Sequence, residues 1–311
     1  MRLVFAGTPA AALPTLRRLA AEHEIAIVVT RPDAPLGRKR VLTPSPVAVA
    51  AAELGLPVIK AARLDDEVTR RVAALRPDLG VIVAYGGLVR EPLLAAPAHG
   101  WINLHFSLLP AWRGAAPVQR ALIAGDEELG ASVFRLVPEL DAGDVFAKRA
   151  FPVPAEATAD EALALLAEEG AALTAEVVAG IADGTARAIP QTGTPTFAAK
   201  LDQKDGLLDW TQDADAVFAR YRGVTSEPGA HTIVEGQRVK VLGLARADAT
   251  GDGEPLEPGA LRPTRGGVLV GTASASLVLT RVQPAGKGPM EAADWFRGLR
   301  PVDGRPPRAG R

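Results

Sequence analysis

The chain contains no cysteine, so disulfides, thiolate metal sites and a cysteine nucleophile are excluded together. It has no long hydrophobic run. The longest, roughly Leu79 to Val89, is broken by Gly80, Gly86 and Gly87 and falls short of the ~20 residues that a membrane-spanning helix requires. Nor is there an excess of charge, since the formal net value is −1; a nucleic-acid partner would have to be held by a local patch rather than by the field of the whole molecule. Gly7-Thr8-Pro9 is the first glycine-bearing turn. It is neither a G-x-G-x-x-G fingerprint nor a P-loop, and so gives no licence for a nucleotide cofactor. Internal repeats and low-complexity tracts are also lacking.

What is present is enough apolar material to build cores: 48% of the 311 residues are hydrophobic and 23% are charged. The length suits two domains. Leu3 to Ala6 reads as a buried strand closed by Gly-Thr-Pro, and Ala10 to Ala21 follows as a helix with Leu13, Leu16 and Leu19 on a common side. Further buried-type strands are predicted at Ile25 to Val29, Leu79 to Ala84 and Ile102 to Phe106, with helices at Pro46 to Leu54 and Asp65 to Leu75. This alternation implies an α/β fold with a doubly wound, Rossmann-like, mostly parallel sheet. Edge strands are predicted at Ala131 to Val137 and Val145 to Val153, then a long helix from Ala159 to Ala182. The stretch from Gly184 to Gly206 carries Pro, Thr, Gly and Lys without sustained periodicity, as a linker does. Beyond a helix at Ala214 to Arg222, short strands at Arg238 to Leu244, Gly267 to Gly271 and Ser276 to Val282 suit a small C-terminal β-barrel of OB-like type. The expected division is therefore a catalytic domain at 1–183, a linker at 184–206 and the barrel at 207–311.

The stretch richest in chemistry is Asn103-Leu104-His105-Phe106-Ser107-Leu108-Leu109-Pro110, followed by Trp112-Arg113-Gly114-Ala115-Ala116-Pro117. Strand alternation puts Asn103 and His105 on one face, near the carboxyl end where open α/β sheets bind ligands. An amide and an imidazole there suit an oxygen that turns negative during acyl transfer. Asp141, in Glu139-Leu140-Asp141-Ala142-Gly143-Asp144, offers a carboxylate to orient the imidazole or tune proton transfer. From pattern alone, a strand histidine is first a hydrogen-bonded structural residue and an aspartate beside a glycine is first a turn former.

The combination Asn-x-His-x-Ser-Leu-Leu-Pro with a downstream Leu-Asp-x-Gly resembles the signature of the folate-dependent formyltransferases, and the likeness runs from residue 3 to about residue 301. It implies that Asn103, His105 and Asp141 are the catalytic trio. It also implies that Ser107, Leu108, Leu109 and Pro110, with the backbone of Ala84, Tyr85 and Gly86, line the folate pocket, and that 10-formyltetrahydrofolate is the cosubstrate with no metal required. The run Thr30 to Arg40, followed by Pro44-Ser45-Pro46, is similar to the basic loop of the family branch whose acceptor is methionyl initiator tRNA. Arg38, Lys39 and Arg40 are then the expected tRNA contacts. Asp209-Trp210, Pro228-Gly229-Ala230 and Gly286 to Met290 resemble the same branch, while Phe106 and the stretch Gly223 to Glu227 depart from it.

The resemblance implies formyl transfer to that tRNA for translation initiation. Close alternatives are another folate-dependent formyltransferase or a formyl-folate hydrolase. An alternative of a different class is a noncatalytic RNA-binding protein using the barrel, although aromatic stacking residues are scarce there. A monomer without membrane attachment is expected. An amino terminus that runs straight into a strand, and 28 Arg against 7 Lys, point to a bacterial cytoplasm.

Overall fold

The computed structural model describes residues 1–37, 39–247, 256–300 and 306–310. The chain separates into two compact units. The first comprises Met1–Pro117, Glu128–Val153 and Ala162–Ala199; the second comprises Val118–Glu127, Pro154–Glu161 and Lys200–Arg311.

The first unit is built on a seven-stranded sheet. Its strands run, from edge to edge, Val145–Phe151, Leu129–Arg135, Trp101–His105, Leu79–Val83, Arg2–Gly7, Glu24–Thr30 and Val58–Lys60. The five strands from Trp101–His105 to Val58–Lys60 are mutually parallel, and the two remaining pairings are antiparallel. The parallel strands are apolar almost throughout, because helices cover such sheets and leave no solvated face. The chain winds outward in one direction from Arg2–Gly7 and then returns to its other side at Leu79–Val83, which makes a topological switch point between them. The mostly parallel α/β sheet expected from the sequence is the one observed.

The helices begin where local chemistry starts them. Ser45 caps Pro46–Glu53 by accepting from the Ala48 N–H, and Asp65 caps Asp66–Ala74 by accepting from Glu67 and Val68. The long helix Ala159–Ala182 lies close on the sheet: a Cβ on Gly170 would stand 2.9 Å from the Leu104 side chain. Leu104 thus faces a helix, and its neighbours Asn103 and His105 face the other way. Trp101 shares that second face, buried in the core with its indole N–H donating to the Leu93 carbonyl. The strand therefore passes from core to site along one side, Trp101 to Asn103 to His105.

The second unit carries an antiparallel sheet in the order His231–Val234, Gln237–Arg246, Ser276–Pro284, Gly267–Gly271 and Leu261–Thr264, with Met290–Glu291 paired to Ser276–Pro284. It curls as a half-barrel around Val239, Val241, Val268, Val270, Leu277 and Leu279. Its two edges are bridged through Arg308 and Ala309, which pair with Ala260 and Val234. The helix Ala214–Gly223 packs its Val217, Phe218 and Tyr221 into the same core.

Several elements were not predicted from the sequence, among them the strands His231–Val234 and Leu261–Thr264 of the second unit and three further features. Val58–Lys60 is a short edge strand, Pro117–Ala124 is a helix, and Ala34–Leu36 pairs with Val41–Thr43 as a hairpin. Each is too short to show a period of its own. In addition, residues 189–198 are bonded into the first unit: Ile189 bridges Val145, and Phe197–Ala198 pairs with Arg113–Gly114.

Candidate active site

Three neighbouring strands end together at the carboxyl edge of the first unit's sheet. Gly7 pairs with Val83 and Val83 with Leu104, so the loops after residues 7, 83 and 105 rise side by side. The candidate residues Ala84 to Gly86 and Asn103 to Pro110 are thereby brought next to one another. Asp141 reaches them from the loop between the two antiparallel strands.

His105 is 6% exposed, with Phe134 set edge-on at 6.3 Å between ring centroids. Its Nε2 lies 2.8 Å from the Trp112 carbonyl oxygen. A carbonyl only accepts, so Nε2 carries a hydrogen and donates it. In the neutral ring Nδ1 is then a bare lone pair. It faces Asp141 Oδ2 at 3.9 Å, too far for a direct hydrogen bond. Burial pushes the imidazole below its ordinary pKa, with the Asp141 carboxylate and the Trp112 carbonyl opposing that shift. The ring is accordingly neutral near pH 7. Two acceptors, Nδ1 and Oδ2, thus face a common gap, and a donor about 2.9 Å from each would bridge them.

The sequence reading gave His105 a hydrogen to offer a developing oxyanion. In this geometry the neutral ring has its one N–H committed to Trp112, and it gains a second only by taking a proton at Nδ1. Asn103 is different. It is partly exposed on the same face, and among the described residues no group takes up its amide, which leaves the NH₂ free to donate outward.

Asp141 is held in an uncommon conformation, with φ of +46°. Its Oδ2 accepts from the Gly114 N–H at 2.8 Å. The backbone around it is tied by Gln191, whose Nε2 donates to the carbonyls of Asp141 and Gly143, both at 2.8 Å. Gln191 Oε1 in turn accepts from Arg113 Nε and Nη2 at 3.2 and 2.6 Å. Trp112, also left-handed at φ +60°, donates its N–H to Thr196 Oγ1 at 2.9 Å. Gln191 and Thr196 were missed from the sequence, and no local pattern marks them.

The expected folate residues divide into those that present backbone and those that shape it. Tyr85 is 2% exposed, and its hydroxyl donates to the Ala61 carbonyl inside the core. With Ala84 at φ +48° and Gly86 at φ +74°, this loop turns its backbone outward, where no Cβ on Gly86 would meet anything. Ser107 and Leu109 are buried. Ser107 Oγ donates to the Ala111 carbonyl, and Ser132 Oγ accepts from Leu109 N–H while donating to the Ser107 carbonyl. Leu108 packs beside Gly130, Pro110 is half-buried, and Phe106 is buried. This loop is cross-braced by the protein's own groups.

The basic run splits in two. Arg31 spends its guanidinium on the protein, donating to the Ala62 carbonyl at 2.7 Å and the Gly86 carbonyl at 3.2 Å and lying 6.0 Å from the Tyr85 ring centroid. Lys39 and Arg40 are exposed in the hairpin turn; Arg38 lies outside the described residues. Among the described residues no cluster of three or more His, Asp or Glu side chains is placed to hold a metal ion, and no helix is long and apolar enough to cross a membrane.

Comparison with known proteins places this geometry. The formyl transferase family model matches residues 1–178, and the model for the formyl transferase C-terminal domain matches residues 200–300. A protein of Leifsonia xyli subsp. xyli named methionyl-tRNA formyltransferase is 60% identical over 298 residues, covering 96% of this chain and 97% of its own length. One of the same name from Clavibacter sepedonicus is 59% identical over 304 residues, covering 97% and 99%. Among solved structures, HypX from Aquifex aeolicus in complex with tetrahydrofolic acid superposes with a TM-score of 0.63 at 18% identity, covering 97% of this chain and 50% of that one; at that identity the likeness is one of fold.

Proposed function

Since the chain belongs to the formyl transferase family, we infer that it moves a formyl group from 10-formyltetrahydrofolate to the α-amine of methionyl initiator tRNA, supplying the formylated methionine for translation initiation. Relatives of that name, 59–60% identical over nearly the whole chain, support the substrate pair. The observation that carries the chemistry is the gap between His105 Nδ1 and Asp141 Oδ2, beside an Asn103 amide that no group takes up among the described residues.

Folate fits the residues around that gap. The Ala84–Gly86 loop offers peptide groups to a hydrogen-bonding ring, and the braced Ser107–Pro110 loop flanks Asn103. The carrier supplies an activated carbonyl; the chain does the rest. The methionyl ammonium group donates to Nδ1 and Oδ2, and His105 takes one proton at Nδ1. The freed lone pair attacks the formyl carbon, and the carbonyl π pair moves to oxygen. Asn103 donates to that oxygen, as does the new His105 Nδ1–H. Asp141 stabilises the imidazolium. The oxygen's pair then re-forms the carbonyl as the carbon–nitrogen bond to the carrier breaks, Nδ1–H gives its proton to the leaving nitrogen, and the attacking nitrogen loses its remaining extra proton to water.

The same reading assigns residues 1–183 to catalysis, 184–206 to a linking segment and 207–311 to tRNA binding, and gives Arg38, Lys39 and Arg40 to the acceptor end of the tRNA. We propose a cytoplasmic monomer.

The test offers 10-formyltetrahydrofolate to the purified protein with methionyl initiator tRNA, free methionine, glycinamide ribonucleotide, an amino-sugar nucleotide or no acceptor. Formylation confined to the charged tRNA is expected. Transfer to another acceptor, or release of formate without one, would overturn the substrate assignment, and no turnover at all would overturn the chemistry.

A further inference from the structure

His105 is positioned from two sides, by the Trp112 carbonyl on Nε2 and by Asp141 opposite Nδ1. Both flanking residues sit at positive φ without being glycine, a conformation that persists only where the surroundings enforce it. Beside the Gly114 N–H on the Asp141 carboxylate, the enforcing contacts come from one stretch, residues 189–198. Ile189 anchors it by exchanging both backbone hydrogen bonds with Val145. Gln191 bonds the Asp141 and Gly143 carbonyls and receives Arg113. Thr196 accepts from the Trp112 N–H through its hydroxyl and from the Arg113 N–H through its carbonyl. The segment therefore straps the two loops that hold the two partners of the imidazole.

We propose that Gln191 is a positioning residue for formyl transfer: by donating to the Asp141 and Gly143 carbonyls while Arg113 fixes its own amide oxygen, it holds the Asp141 carboxylate opposite His105 Nδ1. A glutamine suits this place because it offers two N–H donors to two carbonyls and one acceptor to a guanidinium at the same time. Of the charged side chains, Asp141 is the one that acts on the ring; Phe134 covers it from the neighbouring strand. Gln191 stands away from the reacting atoms and works through Asp141.

The assignment rests on the formyl-transfer reading for its kinetic consequence but not for its structural one, so two readouts are taken on the full-length protein. In Gln191→Met, which fills the space without donating, kcat is expected to fall about tenfold or more, with KM for each substrate within about twofold of the parent. The titration of the His105 ring, followed by its carbon-bound proton in NMR, is expected to shift to lower pH because Asp141 no longer sits opposite Nδ1. Gln191→Glu, which keeps the acceptor for Arg113 but sets oxygen against the two carbonyls, is expected to do the same and serves if the Met variant does not fold. A folded variant with kcat within twofold and an unchanged His105 titration would overturn the proposal. If the parent enzyme transferred no formyl group, the proposed reaction would fall, while the titration comparison would still decide whether Gln191 holds Asp141.

Discussion

The loops around His105 and the hairpin at residues 34–43 are both polar, turn-rich segments of the first unit, and they are held in opposite ways. Around His105, nearly every polar group is bonded across the loops: Gly114 to Asp141, Gln191 to Asp141 and Gly143, Thr196 to Trp112, Ser132 to Ser107 and Leu109. The hairpin is held by its own ladder, Ala34 to Thr43 through Leu36 to Val41, and it leaves Leu36, Val41 and Leu42 more than half exposed. No carboxylate pairs with Lys39 or Arg40 among the described residues. A group that moves a proton must be fixed to a few tenths of an ångström, and it obtains that from neighbours distant in sequence. A group that meets a polyanion must keep its charge available, and bonding it internally would defeat the purpose. On the proposed function, bracing goes with the chemistry and its absence with docking.

The largest effects are expected at the braced end. Loss of one oxyanion donor costs roughly 3–4 kcal/mol in barrier, so His105→Ala and Asn103→Ala are each expected to slow formylation about a hundredfold or more in single-turnover assays. Near-normal turnover in a folded variant would remove that residue from the chemistry. Arg31 sharpens the comparison, because it belongs to the basic run by sequence and to the braced region by structure. Arg31→Leu frees the Gly86 carbonyl, and KM for the formyl-folate is expected to rise about tenfold or more, from the ~1.5 kcal/mol or more of one hydrogen bond to a charged group, with KM for tRNA little changed. The reverse pattern would add Arg31 to the proposed tRNA contacts. The smallest effect is expected at the hairpin: Lys39→Ala or Arg40→Ala should raise KM for tRNA a few-fold at low salt, leave kcat intact and lessen the dependence of KM on salt. A fall in kcat with an unaltered salt dependence would show that the turn has a catalytic part.

Much of this was legible in the sequence, and what was not has a physical reason. The parallel sheet announced itself through apolar runs bounded by turn residues, and the face shared by Asn103 and His105 follows from the two-residue period of a strand. Asp141 drew notice as a carboxylate able to orient the imidazole, but from pattern alone it reads first as a turn former, and its place in the trio came from the family resemblance. The role of the imidazole nitrogens was hidden, since it depends on a carbonyl seven residues away reaching Nε2. Arg31 and Arg40 belong to one basic run, and only the fold sends one guanidinium inward. Gln191 was the least visible, because its partners lie 48, 50 and 78 residues away and residues 184–206 have no period to suggest that anything there is fixed.

The proposed chemistry depends on the protonation of one ring, which can be seen directly. With ¹⁵N-labelled histidine, the four histidines of the chain give a long-range proton–nitrogen spectrum in which comparison with His105→Ala assigns His105. The prediction is a neutral ring at pH 7 with hydrogen on Nε2 and none on Nδ1. Because burial lowers its pKa, the ring should take up its second proton only below the ordinary value of 6.5, and kcat/KM should fall as pH is lowered through that same midpoint. A ring protonated on Nδ1 at pH 7, whether as the other tautomer or as imidazolium, would contradict His105 as the acceptor of the amine's proton.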